Sequence, residues 1–120
     1  MIVDDSVTIR TRIGNIIKAN RIKDIFIVGV AKNGEEAIAI FNKTHPDIIT
    51  MDLTMPEMDG IEAIIQIRKI SADVKILVVS ALGDKTTAIK ALKMGAYGFL
   101  NKPFTDAQLE ESLLKAHQIK

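Results

Sequence analysis

Ile48-Ile49-Thr50-Met51-Asp52-Leu53-Thr54-Met55-Pro56-Glu57-Met58-Asp59-Gly60 sets the architecture of this chain. Ile48 to Met51 is a short apolar run bounded by turn signals, the pattern of a buried strand. Asp52 then sits at the strand's carboxyl end, where open α/β sheets bind ligands. Pro56 and Gly60 interrupt regular structure, so Asp52 opens onto a loop. On this run alone, Asp52 is either a nucleophile that accepts a phosphoryl group or a strand-end acid capping a turn, a place Asp favours. The rest of the chain decides between them.

The chain has 120 residues, which predicts one domain with a full core. Apolar residues make up 48% and charged residues 26%, the balance of a soluble globular protein. The net charge of +1 gives no bulk electrostatic case for binding nucleic acid or a membrane. Cysteine is absent, which excludes disulfides, thiolate metal sites and a Cys nucleophile. No apolar stretch approaches the roughly 18 residues of a membrane span, and no signal peptide is visible. A cytoplasmic location is therefore expected. Asn42-Lys43-Thr44 matches a glycosylation sequon and is read as chance. His45 and His117 are isolated and are read as surface residues.

Outward from the central run, the periodicity alternates. Met1-Ile2-Val3 is a very short apolar run ending in Asp4-Asp5, lacking the usual first half of a strand. Ile9, Ile13, Ile16 and Ile17 recur at helical spacing after an N-cap at Ser6 or Asp5. Ile25 to Ala31 reads as a second strand. Asn33 caps a second helix striped by Ala37, Ile40 and Phe41, and His45-Pro46 ends it. Asp59 and Glu62 open a third helix carrying Ile61, Ile64 and Ile65. Val74 to Ser80 is a fourth strand, and Ala88, Ile89 and Leu92 mark a fourth helix that stops at Gly95. Tyr97 to Leu100 is a fifth strand, broken by Lys102-Pro103. Thr105 and Gln108 form a capping box for a last helix striped by Leu109, Leu113 and Ala116. Strands alternating with helices predict βαβ units and a parallel sheet.

In such a sheet the carboxyl ends of all strands share one edge. The first strand delivers Asp4 and Asp5 there, the third Asp52, the fourth Ser80 and the fifth Lys102. Three close carboxylates cannot all stay ionised cheaply, because like charges raise each other's pKa. A hard divalent cation resolves this, and Mg²⁺ suits one or two carboxylates plus waters and phosphate oxygens. A carboxylate can attack a phosphoryl group to give an aspartyl phosphate. Its equatorial oxygens must then be neutralised and held. Mg²⁺, the Lys102 ammonium and the Ser80 hydroxyl would each take one, and loop N–H groups after Asp52 could add more.

These residues carry a resemblance. The chain is similar to the response-regulator receiver domains of the stand-alone, CheY-like chemotaxis type. The matching residues are Val3-Asp4-Asp5, Asp47-Ile48 through Asp52, Met55-Pro56 with Asp59-Gly60, Ser80-Ala81, Gly95-Ala96 and Lys102-Pro103-Phe104. The resemblance implies a flavodoxin-like α/β fold, a five-stranded parallel sheet in order 2-1-3-4-5 with five helices, and a single receiver domain over residues 1–120. It implies that Asp52 is the phosphoacceptor and Asp5 the direct Mg²⁺ ligand, with Asp4 supporting through water. The backbone carbonyl of Thr54 is the third protein ligand. Ser80 and Lys102 hold phosphoryl oxygens, and the Lys102–Pro103 peptide is cis. Phe99 falls on the family's switch aromatic, which follows the Ser80 hydroxyl inward on phosphorylation and changes the surface of helix 4, strand 5 and helix 5. The implied partners are a histidine kinase as phosphoryl donor and a downstream protein on that surface, with no nucleic acid bound and no membrane inserted. The chain is then a signalling module rather than an enzyme, limited to modifying itself.

Thr54 and Leu82 occupy the two family positions that tune phosphoryl lifetime. Neither is an acid or amide that could orient a water, so slow self-dephosphorylation is expected. Lys85, Lys90 and Lys93 read as a solvated face of helix 4. Other readings compete. An aspartate-nucleophile phosphatase wants a second acid where Thr54 stands and room for a cap insertion. A flavin module wants a Ser/Thr/Gly-rich phosphate loop where Asp4-Asp5 stands. The chain could also be the receiver part of a multidomain regulator.

Overall fold

The structure is a computed structural model that describes residues 1–19, 24–55, 58, 60–81 and 85–118. Its elements run β1 (Ile2–Val3), α1 (Val7–Lys18), β2 (Val30–Ala31), α2 (Gly34–Thr44), β3 (Ile48–Met51), α3 (Gly60–Ile70), β4 (Lys75–Ser80), α4 (Lys85–Lys93), β5 (Gly98–Asn101) and α5 (Asp106–Gln118). The five strands pair in parallel in the order β2-β1-β3-β4-β5. This is the doubly wound topology expected above.

The sheet is buried on both faces, and strand alternation distributes its side chains. Ile76 and Val78 of β4 join Val3, Ile49 and Met51 in a core with Ala37, Phe41, Ile64 and Ile67 of α2 and α3. Leu77 and Val79 point the other way, packing with Ile2 against Ile13, Ile16 and Ile17 of α1 and Leu109 and Leu113 of α5. A period-2 strand with apolar residues at both parities must be covered twice, and the amphipathic helices do this.

Helix ends follow local chemistry. Ser6, not Asp5, caps α1: its Oγ accepts from Ile9 N–H at 3.3 Å. Asn33 Oδ1 accepts from Glu36 N–H at 2.8 Å, while the Glu36 carboxylate accepts from Lys32 N–H at 3.1 Å. Thr105 and Gln108 complete a reciprocal capping box. His45 closes α2 in the left-handed region at φ 45°, immediately before Pro46. Gly95, at φ 111°, turns the chain out of α4. There Arg68 of α3 donates to the Gly95 carbonyl through Nε at 3.0 Å and Nη2 at 2.5 Å. The same guanidinium reaches the carbonyl of Ala72 at 3.2 Å.

The second strand differs from expectation. The ladder is only Val30–Ala31, not Ile25–Ala31. The reason lies in its partner: Ile2 pairs with Val30 and Val3 with Ala31, so residues 25–28 lie opposite no β1 residue. A cavity of about 250 Å³ fills that side, bordered by Met1, Ile17, Ile25, Ile27, Thr50 and Leu113. Phe26, Val28 and Val30 are exposed along the edge. The Met1 amine, buried here, donates to the Ile48 carbonyl at 2.9 Å. Burial pushes its pKa down to about 6 against the opposing pull of Asp47. His45 and His117 are exposed, as are Lys90 and Lys93. Asp59, Leu82 and the Lys85 side chain lie outside the described residues.

Candidate functional site

The site is built where β1, β3, β4 and β5 end. Parallel pairing in register puts Val3 beside Met51, Met51 beside Val78 and Ser80 beside Asn101, so Asp4, Asp52, Ser80 and Lys102 all stand at the carboxyl ends of their strands on one rim. Asp4 and Asp52 are almost fully buried there, at 1% and 4% exposure. Asp5 is exposed. One oxygen from each of these three carboxylates lies within 4.8 Å of the other two.

Lys102 answers this charge. Its Nζ stands 2.6 Å from Asp4 Oδ2 and 3.6 Å from Asp52 Oδ2. Its backbone N–H donates to the Ser80 carbonyl at 3.0 Å, which ties the end of β5 to the end of β4. The Lys102–Pro103 peptide is cis. Ser80 is the last residue of β4 and is fully buried. Phe99 lies mid-β5, paired with Val78 and half-buried against the α2–α3 core.

The two buried acids are held differently from the exposed one. Asp4 accepts from Lys102 and, through Oδ1, from Ser6 N–H at 2.9 Å. Asp52 Oδ1 accepts from Thr54 N–H at 3.3 Å, and Thr54 itself is exposed on the loop. Burial raises the Asp52 carboxyl above the ordinary carboxylate value, and Asp4 and Asp5 raise it further; Lys102 and the Thr54 N–H pull it back. A carboxyl strained in this way gains from any added positive charge. Three oxygen-only side chains this close make a donor set for a hard cation.

Two contributors went unread in the sequence. Gly60 was legible as a turn former and as part of the Asp59-Gly60 match, but not for its contact with the Asp52 loop. In the fold it lies directly under the Asp52 loop: its N–H donates to the Leu53 carbonyl at 3.0 Å, and a Cβ there would overlap the Asp52 carbonyl oxygen. Arg10 of α1 donates through Nη1 to the Asp4 carbonyl at 2.7 Å. The available signal was a long cation one helical turn beyond a capped acidic pair.

The chain is similar in sequence and in fold to known proteins. The family model for the response regulator receiver domain matches residues 1–114. The chemotaxis protein CheY of Listeria monocytogenes is 42% identical over 116 residues, covering 97% of this chain and 95% of the relative. CheY of Thermotoga maritima is 43% identical over 115 residues, covering 96% and 93%. Among solved structures, the CheX–CheY–BeF3–Mg²⁺ complex from Borrelia burgdorferi superposes with a TM-score of 0.91 at 31% identity, covering 99% of this chain and 87% of that one.

Proposed function

The chain belongs to the response-regulator receiver domain family, and from that premise we propose that Asp52 is its phosphoacceptor, within one receiver domain spanning residues 1–120. The observation that carries the assignment is the rim: Asp52, buried at the end of β3, offers an oxygen within 4.8 Å of oxygens of Asp4 and Asp5 and stands 3.6 Å from the Lys102 ammonium. A phosphohistidine of a histidine kinase is the donor. An Asp52 oxygen attacks phosphorus as the P–N bond breaks, and the electron pair leaves on the imidazole nitrogen, which is then protonated. Lys102, already between Asp4 and Asp52, meets one phosphoryl oxygen, and the Ser80 hydroxyl meets another. Loop N–H groups such as that of Thr54 assist.

The acids fit Mg²⁺ by donor type and separation. Asp5 and Asp52 would hold it directly with the Thr54 carbonyl, and Asp4 through water. Once bound, the ion supplies neutralisation of the carboxylates and of a phosphoryl oxygen. The Borrelia relative, whose complex contains BeF3 and Mg²⁺, supports this reading.

The chain works as a signalling module, with self-phosphorylation and self-dephosphorylation as its own chemistry. Ser80 moves toward the phosphoryl group, Phe99 follows, and the α4–β5–α5 surface changes for a protein partner in the cytoplasm. The chemotaxis relatives point to a chemotaxis-like output. Neither Thr54 nor Leu82 is an acid or amide that could orient a water, so the phosphoryl group is long-lived; its rapid loss at neutral pH with Mg²⁺ present would oppose this. The site assignment is tested by treating phosphorylated protein with borohydride, which reduces an aspartyl phosphate to homoserine, and mapping the peptides by mass. Homoserine at position 52 is expected. Reduction at any other acid would overturn the assignment.

A further inference from the structure

We infer that Arg10 is a positioning residue for the metal-binding turn: it orients Asp5 by gripping the peptide that joins Asp4 to Asp5. The inference rests on the metal reading proposed above. Each acid of the rim needs something to fix its direction. Asp4 is held by Lys102 at 2.6 Å and by Ser6 N–H at 2.9 Å. Asp52 is held by Thr54 N–H at 3.3 Å and faces Lys102 at 3.6 Å. The Asp5 side chain is exposed and, among the described residues, has no hydrogen bond or ion pair. Its direction is therefore set by the backbone on either side.

On the carboxyl side the backbone is fixed by the start of α1. Ser6 is the N-cap, and its carbonyl accepts from Arg10 N–H at 3.0 Å. On the amino side the Asp4 carbonyl belongs to the peptide plane that ends at Asp5 N. Arg10 Nη1 donates to that carbonyl at 2.7 Å, within the range of a charge-assisted bond. Arg10 thus holds both ends of the turn, through its main chain at Ser6 and its side chain at Asp4. It forms no ion pair with a described carboxylate, so its bond is spent on backbone orientation.

The sign of a mutational effect separates this role from a plain charge effect. A guanidinium beside an acidic cluster repels a divalent cation, so removing it as a mere charge tightens Mg²⁺ binding. Removing a grip on a ligand-bearing turn loosens it, and partners that orient metal ligands are typically worth about 10–100-fold in affinity. Arg10→Met keeps the unbranched stem and helix propensity and loses both charge and donors. Arg10→Lys keeps the charge and one donor head.

The test is the Mg²⁺ dissociation constant from an NMR titration of the whole chain with MgCl2, alongside the melting temperature in EDTA. We expect Arg10→Met to weaken Mg²⁺ binding about tenfold, with Arg10→Lys recovering most of it. Loss of stability alone lowers the melting temperature and leaves the constant of the folded protein unchanged. An unchanged or tighter constant in Arg10→Met, with saturable binding in the wild type, overturns the inference and leaves the metal site standing. Absence of saturable binding in the wild type overturns the metal reading and the inference with it.

Discussion

Asp52, the acid proposed to take the phosphoryl group, is a burden to the fold when no cation offsets its charge. It is buried, faces Asp4 and Asp5, and has its carboxyl raised by burial first and by Asp4 next. A carboxyl raised on folding binds a proton in the folded state at pH values where the unfolded chain has released it. Its contribution to stability is therefore present at acid pH and lost as pH rises through the folded value. Asp52→Asn removes that loss. In EDTA at neutral pH the variant is expected to melt higher than wild type, and the gap should close as the pH is lowered below the folded carboxyl's value; a variant that melts lower at neutral pH would contradict this electrostatic account. Much of the residue chemistry was legible because charge type and strand position suffice to place Asp4, Asp5, Asp52, Ser80 and Lys102 on one rim. Arg10 and Gly60 were not, because their roles lie in reaching or clearing a backbone carbonyl, and sequence carries no direct record of a carbonyl's direction.

At the scale of elements, two glycines are required for different physical reasons. Gly95 sits at φ 111°, and a Cβ there would stand 2.6 Å from Arg68 Nε. Gly95→Ala therefore adds backbone strain and displaces the guanidinium that ties α3 to the end of α4. A loss of about 2–3 kcal/mol is expected in urea unfolding, and a loss below about 0.5 kcal/mol would show that Arg68 yields freely. Gly60→Ala meets backbone rather than a flexible side chain, so the loop after Asp52 must shift. This should slow phosphorylation more than it lowers the melting temperature. The helices were readable from apolar stripes and caps. The length of β2 was not, because Ile25 to Ala31 has full strand character and is limited only by where β1 offers a partner. Pairing is a property of two segments, and periodicity describes one.

For the molecule as a whole, the rim and the opposite edge respond to different ions. Mg²⁺ bound only by the folded state stabilises it by linkage, so adding millimolar MgCl2 should raise the melting temperature and EDTA should reverse it. Asp5→Asn should blunt that response. At the other edge, in protein whose chain starts at Met1, the amine has a folded pKa of about 6 against 8.0 for the free group. Between these values the unfolded chain holds the proton that the folded chain has shed, so stability rises from pH 6 to pH 8, by about 2 kcal/mol. Acetylating the amine should flatten that rise. The doubly wound order came from alternating periods and was legible, since parallel strands joined by helices leave few topologies. The cavity beside Met1 was not, because it arises from tertiary spacing between α1, α5 and the sheet. The central claim, a metal-dependent phosphoryl switch at Asp52, is tested most directly by intact mass. Wild type and Asp52→Asn would be incubated with acetyl phosphate, with MgCl2 or with EDTA. A single phosphate-sized gain in wild type with Mg²⁺, absent in EDTA and absent in the variant, is the predicted result. An equal gain in Asp52→Asn, or none in folded wild type with Mg²⁺, would contradict it.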